Sequence, residues 1–202
     1  MKKNITVPAY TAHHITISDT DVLWQHEHLY VTITVLEHAT VTLYLALTQQ
    51  VVAHLCVEVF LTGDYASFQA HGYYMLAGNH KLTISTLQHH TGTKTTSSFL
   101  TKGLVYERAA GMYDGMIYIA PQACGTYATV HNKNILLSPT ARMKSKPNIE
   151  VACADVQCFH GSAIAPLDEQ LIWYMMNRGV PRFQAERLLL DAFLHDVRMK
   201  QS

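Results

Sequence analysis

From Tyr30 onward the chain alternates apolar and polar positions. Val31, Ile33 and Val35 interleave with Thr32 and Thr34. Val41, Leu43, Leu45 and Leu47 interleave with Thr42, Tyr44 and Ala46, and Leu55, Val57, Val59 and Leu61 keep the same period. A period of two with β-branched enrichment is the mark of half-buried strands. Leu82–Leu87, Met116–Ala120, Lys133–Leu137 and Ile149–Ala154 are further strand candidates. Turn residues separate them at Gly63-Asp64, Gly78-Asn79, Asp114-Gly115, Ser138-Pro139 and Lys146-Pro147-Asn148. No segment before Asp168 has helical periodicity, which disfavours helices between strands and hence a doubly wound fold. A sandwich, a barrel and a solenoid all fit the alternation, and no strict repeat singles out the last.

The pattern changes after Asp168. A first helix is expected from an Asp168 N-cap to Gly179 as its C′ residue, with Leu171, Tyr174 and Met175 on one face. A second begins near Pro181, a good first-turn residue. Its Ala185, Leu188, Leu189, Ala192 and Phe193 follow the i, i+3, i+4, i+7, i+8 rule of an apolar stripe. The expected division is therefore a β core over 1–166 and a helical segment over 167–202.

Composition narrows the classes. The 202 residues are 49% hydrophobic and 15% charged, enough for one sizeable core. The 15 basic and 15 acidic side chains cancel, without a basic stripe for nucleic acid. No apolar run reaches the roughly 20 residues of a membrane span, and Lys2-Lys3 precedes no signal-like apolar stretch. Four cysteines are too few for a disulfide framework. The expectation is a cytoplasmic protein with reduced thiols, Cys56 and Cys124 being inert packing residues.

Candidate chemistry is sparse. Cys158 and His160 stand two apart, so on a strand they share a face, about 6.6–6.8 Å apart. Thiolate and imidazole are natural ligands for iron or zinc. Two ligands do not close a site, and a buried cysteine beside a hydrogen-bonded histidine would give the same spacing. Cys153 lies five residues from Cys158, and Glu150 five from Asp155. On one strand each pair would face opposite sides, against a shared metal or an acid–base pair. His26-Glu27-His28 has the His-x-His step of a cupin metal site, but the following glutamate and glycine are missing. After His89-His90, the stretch Gly92-Thr93-Lys94-Thr95 lacks phosphate-loop spacing. No catalytic serine elbow or zinc-protease motif is present.

The last third carries a longer ordered series. It runs through Asn134-Ile135-Leu136-Leu137-Ser138-Pro139, Ser145-Lys146-Pro147-Asn148-Ile149-Glu150 and Asp155-Val156-Gln157-Cys158-Phe159-His160-Gly161. Leu167-Asp168, Tyr174, Arg178-Gly179-Val180, Ala185, Leu188-Leu189 and Ala192-Phe193 complete it. This series resembles the C-terminal core of the SufB/SufD family of iron–sulfur assembly scaffolds, and the Cys-Phe-His-Gly step is closer to the SufD branch. Weaker matches at His89, Ser97, Lys102-Gly103-Leu104, Ala109, Asp114-Gly115-Met116-Ile117 and Ala123 extend it to roughly residues 80–194. The resemblance implies a right-handed parallel β-helix with two C-terminal helices. It implies a scaffold that handles a transient iron–sulfur cluster without catalytic or ATPase machinery of its own. His160, and with it Cys158, would serve assembly at a dimer contact with a SufB-like subunit or a second copy. Leu171, Tyr174, Arg178, Leu189 and Phe193 would meet a SufC-like ATPase. The competing readings are a metal-free β-solenoid interaction module and, less favoured, a cupin-like metalloenzyme.

Overall fold

The computed structural model describes residues 1–18, 28–48 and 53–199. Among these residues, twelve strands precede two helices. The odd strands are β1 (Lys2–Val7), β3 (His28–Val35), β5 (His54–Leu61), β7 (Lys81–His90), β9 (Ala110–Ile119) and β11 (Arg142–Val151). The even strands are β2 (Ala12–Ser18), β4 (Thr40–Leu47), β6 (Ser67–Leu76), β8 (Thr96–Val105), β10 (Thr126–Leu136) and β12 (Val156–Pro166). Each set forms a six-stranded sheet in chain order, and neighbours pair in parallel. The result is a parallel β-solenoid of about five turns, as the resemblance implied.

Alternation explains why the sheets face each other. In β5, Leu55, Val57, Val59 and Leu61 are fully buried while the residues between them are not. The inward row of each strand sits over the inward row of the next, so the lumen is filled by stacked side chains. The early coils are filled by Val31, Ile33, Val41, Leu43, Phe68 and their neighbours. The coil length varies. Ser67 lies beneath Thr40, 27 positions on, whereas Arg142 lies beneath Ala110, 32 positions on. Unequal coils hide the repeat from inspection of the sequence.

The corners between an odd strand and the next even strand follow one rule from β1–β2 through β9–β10. Tyr10, His38, Tyr65, Lys94 and Gly125 all have positive φ, between 51° and 73°. Each donates its backbone N–H to the coil below: Tyr10 to Glu37, His38 to Asp64, Tyr65 to Thr93, Lys94 to Cys124 and Gly125 to Asp155, at 2.7–3.0 Å. The left-handed conformation costs a non-glycine residue about 1–2 kcal/mol, and side-chain stacking offsets it. Tyr10 stacks on His38 at 5.0 Å, His38 on Tyr65 at 4.7 Å, and the Lys94 ammonium lies 5.2 Å from the Tyr65 ring centre.

Helix α1 (Glu169–Met176) is capped by Asp168, whose carboxylate accepts from the Gln170 and Leu171 N–H groups. It ends earlier than expected, with Asn177 at the C-cap and Gly179 at φ 84°. Helix α2 (Arg182–Arg198) follows Pro181 and packs on the outer face of the even sheet. Leu190, Phe193, Leu194 and Val197 meet Tyr73, Met75, Leu100, Leu104 and Ile135. The stripe that docks is therefore shifted from the expected one. Ala185 is buried, but Leu188 and Ala192 are exposed.

Strands β1 and β2 precede Tyr30, ahead of the individual strand candidates; their short, half-exposed alternation (Lys2–Val7 and Ala12–Ser18) is weak in sequence. Other expectations need correction: Asp114-Gly115 and Lys146-Pro147-Asn148 are not turns but lie inside β9 and β11. The stretch Ile149–Ala154 does not stay in strand, because the chain turns at 152–155. The thiols are not all reduced: Cys124 and Cys153, 29 positions apart, are joined in a disulfide with Cα atoms 5.8 Å apart. Coil stacking places the turn after β9 over the turn after β11, so residues about one coil apart become neighbours.

Candidate functional site in the terminal coil

The terminal coil is made of β11 and β12, each an edge strand with one neighbour. In β12 the register pairs Ala128 with Cys158, Val130 with His160 and Asn132 with Ser162. Ala128, Val130 and Asn132 all belong to the buried inward row. Cys158 and His160 therefore share the lumen-facing side of the last strand, as the two-residue spacing requires. Cys158 is half-buried against the core, and His160 is exposed. Burial pushes the Cys158 thiol above its ordinary pKa, so it is a protonated, weakly nucleophilic group at neutral pH.

The outer side of the same strand is aromatic. Phe159 lies 6.1 Å from Tyr127, and both are exposed. Gly161 follows, and a Cβ placed there would meet the His131 Nδ1 at 2.8 Å. The glycine of the Cys-Phe-His-Gly step thus makes room for His131 on β10. The His131 imidazole is held below its usual pKa, first by burial and then by the charges of Lys133 and His160.

Beneath Cys158 and His160 the lumen turns polar. His90 is buried between Thr95 and Ser97, at 2.7 and 2.8 Å, and burial followed by the neighbouring His89 lowers its pKa to about 3. Asn132 donates to Thr101 at 2.9 Å and to Tyr74 at 3.2 Å, and Asn134 donates to Asn132 at 2.7 Å. Tyr74 in turn donates to Asn134. Thr86 and Tyr113 share a hydrogen bond of 2.9 Å.

The other residues singled out in the sequence do not join this site. Cys153 and Cys158 are not on one strand, since Cys153 lies in the turn before β12. Glu150 is on β11 and Asp155 in the same turn, both exposed. Cys56 sits half-buried on β5, with burial and then Glu58 raising its pKa. His89 faces outward against Phe60 and Tyr118, at 5.4 and 4.6 Å, and residues 91–95 form the corner that leads into strand β8. His28 is exposed on β3; His26 and Glu27 lie outside the described residues. Among the described residues, no group of three or more His, Cys, Asp or Glu comes together to hold a metal ion. No helix among them is long and apolar enough to cross a membrane.

The helical hairpin presents a second surface. Leu171 and Tyr174 are exposed, and the Arg178 guanidinium lies over the Tyr174 ring at 4.7 Å. Leu189 is half-buried, whereas Phe193 turns to the sheet beneath the Lys102 ammonium, 4.9 Å from its ring centre. Sequence reasoning missed the most open apolar side chains here, Trp173 and Phe183, each 67% exposed. They fall outside the apolar stripes that were sought. A groove of about 1130 Å³ lies between the hairpin and the 136–142 turn and does not include Cys158 or His160. There Arg182 bridges Glu169 and Glu186, at 2.6 and 2.7 Å.

Residues 11–193 match the family model described as SUF system FeS cluster assembly, SufBD core domain. The chain belongs to this family. The match starts well before residue 80, where the sequence motifs gave out. The chain is similar to the iron–sulfur cluster assembly protein SufD of Escherichia coli, at 26% identity over 137 residues, 68% of this chain and 32% of that protein. It is 33% identical to an iron–sulfur cluster assembly SufBD family protein of Synechocystis over 98 residues, 48% of this chain and 22% of that one. SufD of Bacillus subtilis is 28% identical over 108 residues, 54% of this chain and 25% of that protein. The chain thus spans about a third or less of the length of these relatives.

Proposed function

We propose that this SufBD-family chain is a SufD-like scaffold for iron–sulfur cluster assembly, acting in the cytoplasm without bond-breaking chemistry of its own. Cys158 and His160 are the residues that meet the assembling cluster. The observation that carries this reading is their place: a thiol and an imidazole on the lumen-facing side of a strand that is the edge of its sheet among the described residues. Two ligands leave iron coordination incomplete, so the remainder comes from a facing chain.

The edges favour β12 as the place of contact. Strand β11 carries Arg142, Lys144, Lys146, Pro147 and Glu150, the charges and proline that guard an edge against pairing. Strand β12 carries no Asp, Glu, Lys or Arg along Val156–Pro166, and its one proline stands at the last position. Another β-solenoid, either a SufB-like subunit or a second copy, pairs along this unguarded edge. With a second copy the interface is two-fold, and Cys158 and His160 of both chains supply four ligands. The hairpin's Leu171, Trp173, Tyr174, Arg178 and Phe183 form the surface for a SufC-like ATPase, with Leu189 at its margin.

Anaerobic loading with ferrous iron and sulfide tests the site. Cys158→Ser and His160→Ala together should cut retained iron and acid-labile sulfide at least about fivefold, with unchanged circular dichroism. Full loading of the double variant would remove both residues from the site. Iron retained without sulfide would instead favour the metalloenzyme reading, and a chain that retains neither but still binds a partner would be an interaction module.

A further inference from the structure

The corner ladder runs out before the last coil. From Tyr10 through His38 and Tyr65 to Lys94, a backbone hydrogen bond and a stacked or cation–π side chain tie each coil to the next, and Lys94, packed back on Tyr65, reaches the following coil through its backbone bond to Cys124. Gly125 has the backbone bond to Asp155, but no side chain to stack. A covalent tie stands there instead, since the neighbouring Cys124 is joined to Cys153. This tie secures the turn 152–155, from which β12 departs toward Cys158 and His160, and among the described strands β12 is hydrogen-bonded only to β10. Stacked rings do not respond to thiols. A disulfide does.

We propose that the Cys124–Cys153 disulfide is a redox-operated clasp on the terminal coil. The half-buried Cys124 sulfur is the accessible one; Cys153 is buried. A dithiol reductant attacks it as thiolate, Cys153 leaves as thiolate, and the second thiol of the reductant resolves the mixed disulfide. Two electrons and two protons pass to the protein, leaving two thiols, and the reductant becomes a disulfide. With the clasp open, the turn keeps the Gly125–Asp155 bond and β12 frays from its first residues, carrying Cys158 and His160 out of register. The clasp thus regulates the assembly site, and it rests on the reading of that site given above.

The test uses the full chain purified in air and the same chain treated with dithiothreitol. Thiol titration should give two thiols before treatment, Cys56 and Cys158, and four after. Amide hydrogen exchange over residues 152–160 should speed up at least about tenfold on reduction, while residues 28–76 stay within about twofold. Cys124→Ser with Cys153→Ser should exchange like the reduced chain under either condition. Should that variant misfold, the two states of the wild type carry the comparison. Four thiols in the air-purified protein, or unchanged exchange at 152–160, would overturn the clasp. Iron and sulfide retention is measured on the same samples. Exchange that responds while retention is nil in both states leaves the clasp standing and sinks the assembly reading.

Discussion

Replacing Lys102 by methionine and by alanine separates the charge that docks α2 from the packing that docks it. Lys102 stands on the outer face of β8 with its side chain 8% exposed. Its ammonium donates to the Phe193 carbonyl and to the Asp196 carboxylate, both at 2.6 Å. Hydrogen bonds to charged groups contribute about 1.5–3 kcal/mol each, but burying the ammonium costs several kcal/mol. The Asp196 side chain is 53% exposed, so solvent screens its part of the interaction. Lys102→Met keeps the apolar stem and removes only the head, so the net loss should be about 1 kcal/mol. Lys102→Ala also strips roughly three buried methylenes at about 0.8 kcal/mol each, for a total near 3 kcal/mol. With a urea slope of about 2 kcal/mol/M, the midpoints should fall by about 0.5 M and 1.5 M. Burial would raise the Asp196 pKa, but the Lys102 hydrogen bond and charge, with backbone N–H groups, outweigh it and leave it lowered. A lowered folded pKa gives stability that is full above the unfolded value of about 3.9 and is lost as pH falls through the folded value. The methionine penalty should therefore shrink below about pH 4 while the alanine penalty persists in large part. Equal midpoints for the two variants at neutral pH would refute the division between charge and packing.

Other expectations follow from single contacts. Gly161→Ala should lower stability by about 1–3 kcal/mol through the clash with His131, and adding His131→Ala should restore most of it; a thermal melt that shows no rescue would place the strain elsewhere. Because burial raises the Cys158 thiol pKa, iron must displace a proton to bind it. Cluster loading should rise with pH between about 6 and 8 in the wild type and rise less steeply in Cys158→Ser; equal slopes would exclude the thiol as ligand. Trp173→Ser with Phe183→Ser should weaken binding of a SufC-like ATPase at least about tenfold in a pull-down titration, with an unchanged melting temperature, and unaltered affinity would move the contact off the hairpin. Truncation after Arg178 is a poorer probe, since removing α2 uncovers Leu104 and its neighbours on the sheet.

The strands were legible because alternation is local. Leu55 to Leu61 reads as half-buried strand without knowing its partners. What joins strands into coils is not local, and corners of unequal length erase the period that would announce it. The Cys124–Cys153 bond was illegible for the same reason: a separation of 29 residues means proximity only once the coil is known. Cys158 and His160 were legible as a same-face pair, but not as inward-facing, since nothing in Val156–Pro166 marks which side meets the lumen. In α2 the stripe of Leu190, Phe193, Leu194 and Val197 competed with an equally periodic one beginning at Ala185. The sheet's own apolar patch around Leu104 decided between them.

The change of lumen from apolar to polar bears on the terminal coil. In the early coils the inward row is Val, Leu and Ile, so a strand that slipped by two residues would still present apolar groups to the interior. Two-residue slips preserve the face and are weakly opposed by such a row. In the later coils the inward row carries Thr101 with Gly103, and Asn132 with Asn134, linked to Tyr74 on β6 by hydrogen bonds across two strand boundaries. A slip of β10 by two residues would break these bonds together and leave buried amides without partners, at about 1–3 kcal/mol each. The polar network therefore fixes the register of β10, and β10 is the one template on which β12 is laid. The position of Cys158 and His160 at the end of the lumen is set by amides on the neighbouring strand β10, anchored by hydrogen bonds that reach two strands further, and the apolar filling gives way to a polar one where the chain approaches its site.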